Sequence, residues 1–208
     1  MRLVSSTVFP IAFLAFLAVA AADEWQLASD KGGVRMSTRP VAGSPVNEVR
    51  GEMDFDVPAA AIYATLADVE SYPRFIPYTL AATRLKSDGP DSAWFHMVIN
   101  PPLIFRRDYC IRTQKTRLQG GAFKNEWRVD ETHCPKGGSS IVRMKTNSGS
   151  WTMTPLPGGL RTHVVYQSHA DPGGDIPTWI VNRVTTDEIP GILKAVQKAS
   201  ADSRYQKK

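Results

Sequence analysis

The sequence predicts an α+β fold in which one curved antiparallel sheet wraps around a long C-terminal helix. Three observations predict it. Residues 79–170 break into short runs of alternating apolar and polar side chains. The runs are separated by Asp-Gly-Pro, Asn-Pro-Pro, Gly-Gly, Lys-Gly-Gly, Asn-Ser-Gly and Pro-Gly-Gly, which reads as one meander of hairpins. Residues 176–200 instead place Ile180, Val181, Val184, Ile192 and Val196 at helical spacing. A single short helical stretch precedes the meander, so helices are segregated from strands rather than alternating with them.

Taken in chain order, the first 22 residues stand apart. Arg2 is the only charge before Asp23, residues 8–22 are apolar apart from Pro10, and Ala18-Val19-Ala20 has the small-x-small pattern of a cleavage site. Residues 1–22 therefore read as a secretory signal peptide, and residues 23–208 as one domain that is periplasmic or secreted. A retained membrane anchor is the competing reading, because residues 3–22 approach the length of a bilayer span. A chain of 208 residues with 42% hydrophobic side chains builds one good core.

Residues 23–33 form a lead-in anchored by Trp25. Strands are expected over 34–39 and 47–55. In the second, Val49, Gly51, Met53 and Phe55 share one face, and Glu48, Arg50, Glu52 and Asp54 the other, the alternation of a half-buried strand. Asp56 is placed to cap a following helix, with Pro58 in its first turn. Ile62, Leu66 and Val69 give that helix an apolar face, and it ends before Pro73. Further strands are expected near 79–86, 92–99, 107–117, 123–133, 140–146, 150–155 and 160–170. The last helix spans 176–200, with a kink at Pro190-Gly191.

Side chains two apart share a face of a strand. The inward set is then Tyr109, Ile111 and Thr113, Phe123, Trp127 and Val129, Trp151 and Met153, and Val164, Tyr166 and Ala170. With Ile180 and Val184 from the helix, the predicted cavity wall is Tyr109, Ile111, Thr113, Trp127, Val129, Trp151, Met153, Val164, Tyr166, Ile180 and Val184. For any one of these, plain core packing is the competing role. The set has no carboxylate, histidine or lysine, so it offers no acid–base pair for catalysis.

Other chemistries find little support. The net charge of +5 is spread along the chain, as a solvated surface with weak attraction for an anionic membrane. No basic run interleaves with aromatics, so nucleic acid is not an expected partner. His96, His133, His163 and His169 lack ligand spacing, and two cysteines alone do not build a zinc site, so neither a metal nor another cofactor is expected. Cys110 and Cys134, read on the polar faces of strands joined across Gly120-Gly121, are expected to form a disulfide in an oxidising compartment. The turns at Pro157-Gly158-Gly159 and Pro172-Gly173-Gly174 lack the Lys-Ser/Thr of a phosphate loop. Arg107-Asp108 reads as a salt bridge or an anchor at a strand start rather than as a catalytic pair.

Several segments occur in a telling order: Trp25 with Asp30-Lys31-Gly32-Gly33-Val34, Asp56-Val57-Pro58 before Leu66-Ala67-Asp68-Val69, and Arg106-Arg107-Asp108-Tyr109. Gly149-Ser150-Trp151, Thr154-Pro155-Leu156 and Asp171-Pro172-Gly173-Gly174-Asp175-Ile176-Pro177 follow, the last leading to Ile180-Val181-Asn182. Across residues 25–198 the chain resembles the START (steroidogenic acute regulatory-related lipid transfer) domain, in the bacterial exported branch of the helix-grip, Bet v 1-like superfamily. The resemblance implies a hydrophobic cavity under a C-terminal helix that acts as a lid. It also implies a monomer that binds and transports a lipid or other hydrophobic ligand without catalysis. Sterol-binding members carry an inward acid–arginine pair. Here Thr113 stands at the arginine's place, Arg112 points to the other face, and residues 96–99 supply no acid. Aromatic cyclases share the fold, so an exported enzyme of cyclase or hydratase type is the alternative.

Overall fold

Ten strands build one sheet: β1 (Gln26–Lys31), β2 (Val34–Arg39), β3 (Glu48–Phe55), β4 (Thr79–Asp88), β5 (Ser92–Ile99), β6 (Arg107–Arg117), β7 (Phe123–Val129), β8 (Val142–Arg143), β9 (Thr146–Pro155) and β10 (Thr162–Asp171). The computed structural model describes residues 24–102, 104–138, 140–174 and 176–206, apart from the side chain of Thr185. The expected signal peptide lies outside the described residues. The strand order is β1-β2-β3-β10-β9-β7-β6-β5-β4, and β8 pairs in parallel with β6 beside this path. After β3 the chain crosses to the far edge through α1 (Ala59–Ala67) and a 3₁₀ segment (Val69–Arg74), then meanders back until β10 pairs with β3.

The period-two pattern decides which face is covered. Along β3, Val49 and Phe55 are buried, while Arg50 and Glu52 pair on the outer side at 2.7 Å. Asp54 stands opposite His163 of β10 and hydrogen-bonds it at 2.8 Å. The inner face receives α2 (Thr178–Ser200), whose Ile189, Leu193 and Val196 pack with Val34, Met36, Val49, Phe55, Met153 and Val164. Each such fully buried side chain contributes roughly 1.5–3 kcal/mol. Ile62 and Leu66 of α1 close the same core. Gly51 lets the helix sit this close, since a Cβ there would lie 2.9 Å from both Ile189 Cγ2 and Leu193 Cδ1.

Several boundaries differ from the sequence reading, each for a local reason. The lead-in includes β1, whose side chains are mostly exposed and so carry no burial signal. Asp56 does not cap α1; Pro58 takes the N-cap position with no side-chain bond, and Asp56 meets Arg161 at 3.1 Å instead. β7 stops at Val129 because the chain turns there. The Asp130 N–H donates to the Cys110 carbonyl, and the Asp130 side chain accepts from the Thr132 N–H. Cys134 therefore lies beyond the strand, yet it is disulfide-bonded to Cys110 with Cα atoms 5.7 Å apart. The strand expected over 140–146 shrinks to β8. β9 starts early at Thr146, so Asn-Ser-Gly is strand rather than turn. α2 runs unbroken through Pro190. A mid-helix proline costs ~3 kcal/mol, which the burial of Ile189 and Leu193 on either side offsets.

Candidate functional site

Between the concave face of the sheet and α2 lies a cavity of about 240 Å³. β6 supplies Tyr109, Ile111 and Thr113, β7 supplies Asn125 and Trp127, β9 supplies Asn147 and Trp151, and β10 supplies Tyr166 and Ser168. The 3₁₀ segment adds Val69 and Tyr72, and α2 adds Glu188, Ile189 and Ile192. The strand phase explains the first nine: inward positions alternate along each strand, and neighbouring strands hold them in register, as Thr113 stands opposite Trp127.

The predicted cavity-wall residues divide into four groups. Tyr109, Ile111, Thr113, Trp127, Trp151 and Tyr166 come together on the cavity wall. Met153 and Val164 face the same way but are sealed in the core beneath the second half of α2. Ile180 and Val184 line a second, smaller cavity of about 140 Å³, between the first half of α2 and the loop after β5. Ile99, Met144 and Ala170 border both cavities. Val129 lines neither, because β7 ends at it. Sequence reasoning missed Asn125, although it is in phase with Phe123 and Trp127; polarity had excluded it. It also missed Tyr72 and Glu188, which no strand pattern marks.

An aromatic cluster forms the firm side of the cavity. Tyr166 stacks on Trp127 at 5.7 Å between ring centroids and tilts against Trp151 at 4.6 Å. Gly149 makes room for Trp127, since a Cβ there would collide with its ring and with the Gln167 carbonyl. Trp127 Nε1 donates to Asn147 Oδ1 at 2.8 Å, and the Tyr72 hydroxyl donates to the Leu66 carbonyl at 2.9 Å. Burial pushes the phenols of Tyr72, Tyr109 and Tyr166 above the usual tyrosine range, so they stay neutral. The Glu188 carboxylate of α2 also raises the Tyr78 phenol. Tyr78 has a left-handed backbone, φ 60°, a conformation rare for a bulky residue. Such a wall holds a neutral, apolar body and gives it a few hydrogen bonds.

Arg107 and Asp108 do not pair with each other. Arg107 is buried and donates to the carbonyls of Phe105, Pro172 and Gly173, fixing the loop that leads into α2. Asp108 faces the other way, bound to Arg143 and to His96 Nε2 at 2.9 Å. Both are strand-start anchors. Among the described residues no group of three or more His, Cys, Asp or Glu side chains is placed to hold a metal ion. No described helix is long and apolar enough to cross a membrane.

Residues 55–197 match the family model described as polyketide cyclase/dehydrase and lipid transport. An uncharacterized protein of Pseudomonas aeruginosa is 30% identical over 93% of this chain and 95% of its own length. Among solved structures, a STAR-related lipid transfer protein from Xanthomonas axonopodis is 28% identical with a TM-score of 0.78, covering 86% of this chain and 100% of that one. Human StAR-related lipid transfer protein 5 is 19% identical with a TM-score of 0.77, over 88% of each chain. An aromatase/cyclase from a Streptomyces species is 16% identical with a TM-score of 0.53, over 74% of this chain and 92% of that one. The chain thus belongs to the polyketide cyclase/dehydrase and lipid transport family, and its fold is the START-type helix grip.

Proposed function

We propose that this protein binds a hydrophobic small molecule of lipid class between the concave sheet and α2, and carries it without chemical conversion. The observation that carries the reading is the cavity itself: a mostly aromatic and aliphatic wall with no lysine, arginine or histidine among the described residues that line it. The likeness to the lipid transfer protein of Xanthomonas axonopodis supports it.

At about 240 Å³ the cavity is smaller than the ~300–1,000 Å³ usual for ligand sites. A loaded form needs more room. Met144 borders both cavities, and its flexible side chain can swing aside to join them. The joined space reaches Ile180 and Val184 beneath the first half of α2, which acts as the lid. Phe105 and Trp179, exposed at 82% and 67%, flank that end and suit transient contact with a membrane surface. The working form is residues 23–208, exported and monomeric. The disulfide suits an oxidising compartment.

Native mass spectrometry of the protein from its own host, followed by lipid extraction, tests the proposal. A stoichiometric hydrophobic adduct supports it; a bare mass under gentle conditions, with no uptake of added lipid, refutes it. One observation favours a second reading, a cyclase- or dehydratase-type enzyme: Glu188 is a carboxylate on the cavity wall. In that reading Glu188→Gln abolishes turnover while leaving ligand binding intact. In the carrier reading there is no turnover to lose.

A further inference from the structure

Asn125 sits on the cavity wall with 4% of its surface exposed, opposite Trp151 in the β7–β9 ladder. Its amide orientation is fixed, because Nδ2 donates to the Leu66 carbonyl at 3.3 Å. Flipping it would set two carbonyl oxygens against each other. Oδ1 is then left buried with no hydrogen-bond partner among the described residues. The neighbouring hydroxyl does not serve it, since Thr113 Oγ1 gives its proton to the Ala93 carbonyl at 3.3 Å. Asn147, the other amide on the wall, differs: its Oδ1 already accepts from Trp127. Of the four buried side-chain atoms without a partner among the described residues, Asn125 Oδ1 alone belongs to a residue lining this cavity.

A buried acceptor without a donor costs free energy until one arrives; Oδ1 has almost no surface open to the cavity, so the wall opens around it as the donor enters. We propose that Asn125 Oδ1 is the polar anchor for the ligand, and that the ligand is a neutral lipid alcohol whose hydroxyl donates to it. This rests on the carrier reading above and deepens it. A carboxylate or phosphate headgroup is excluded by charge. Among the described residues the cavity wall offers it no cation, and Glu188 adds a carboxylate, so a buried anion would stand unpaired. An ether or ester oxygen only accepts, and would set acceptor against acceptor at Asn125.

The test compares 1-decanol with its isomer methyl nonyl ether, and with decanoate, by quenching of the intrinsic tryptophan fluorescence. Trp127 and Trp151 line the cavity and report directly. The wild-type protein should bind the alcohol about tenfold or more tighter than the ether, and decanoate most weakly. Asn125→Leu, of similar volume, should bind alcohol and ether alike; Asn125→Ala replaces it if the leucine variant does not fold. Equal binding of the two isomers by the wild-type protein overturns the inference, as it would if a bound water satisfies Oδ1. So does an alcohol preference retained by a folded variant. Binding of none of the three probes refutes the cavity reading itself, and the anchor with it.

Discussion

Arg143 grips Asp108 through two hydrogen bonds, Nε to Oδ1 at 2.8 Å and Nη2 to Oδ2 at 2.7 Å. The side chains are 15% and 4% exposed, so the pair is shielded from solvent. Removing one partner of a buried pair typically costs ~3 kcal/mol or more. Asp108→Ala should therefore lower the Tm while leaving ligand bound at low temperature. The Arg143 hydrogen bond, helped by His96, holds the Asp108 carboxyl below its ordinary value. A depressed carboxyl stabilises the fold fully above its unfolded value of about 4, and that stability drains as pH falls through the lower folded value. Thermal melts from pH 7 to pH 2 should show a steeper acid decline for the wild-type protein than for Asp108→Asn.

Gly51 controls how closely the helix seats. Gly51→Ala puts a methyl 2.9 Å from Ile189 Cγ2 and Leu193 Cδ1, so α2 must lift or the side chains must leave their rotamers. Overpacking of this kind costs about 1–3 kcal/mol. Urea unfolding should give a lower midpoint with an unchanged slope.

Thiol counting on the unreduced protein should find no free thiol. The bond spans 24 residues of sequence and stabilises by roughly 3 kcal/mol in the chain-entropy model. The paired variant Cys110→Ser, Cys134→Ser should melt lower and loosen the segment leading to Arg143 and Met144.

The sequence made the sheet legible where one face is apolar and the other charged. β5 and β6 follow their expected bounds because Phe95 and Ile111 alternate with residues such as His96 and Arg112. β9 was harder, since Gly149 looks like a turn residue and its real task, clearing space for Trp127, depends on a neighbouring strand. The site was half legible. Phase alone placed six wall residues. Met144, which borders both cavities, follows the two-residue remnant of the strand expected over 140–146, and strand phase did not mark it as a wall residue. Asn125 was hidden by the habit of reading polar as outward.

Lid motion is open to a tether. The Asn47 N–H donates to Asn182 Oδ1 at 3.1 Å, tying the first half of α2 to the segment before β3. Cysteines at Asn47 and Asn182, joined by a short bis-maleimide, should stop exchange of a fluorescent lipid between vesicles and preserve the fold. The unlinked double variant should still exchange. Full exchange in the linked protein would show that ligand passes without movement of this half of the helix.

The central claim is where the ligand sits, and photolabelling measures it most directly. A decanol analogue carrying a diazirine, irradiated in complex with the protein and mapped by peptide mass spectrometry, should mark Tyr109, Trp127, Trp151 or Ile192 on the cavity wall. Excess 1-decanol should suppress the label. Label confined to the exposed Phe105 and Trp179, or unaffected by competition, would contradict an internal binding site.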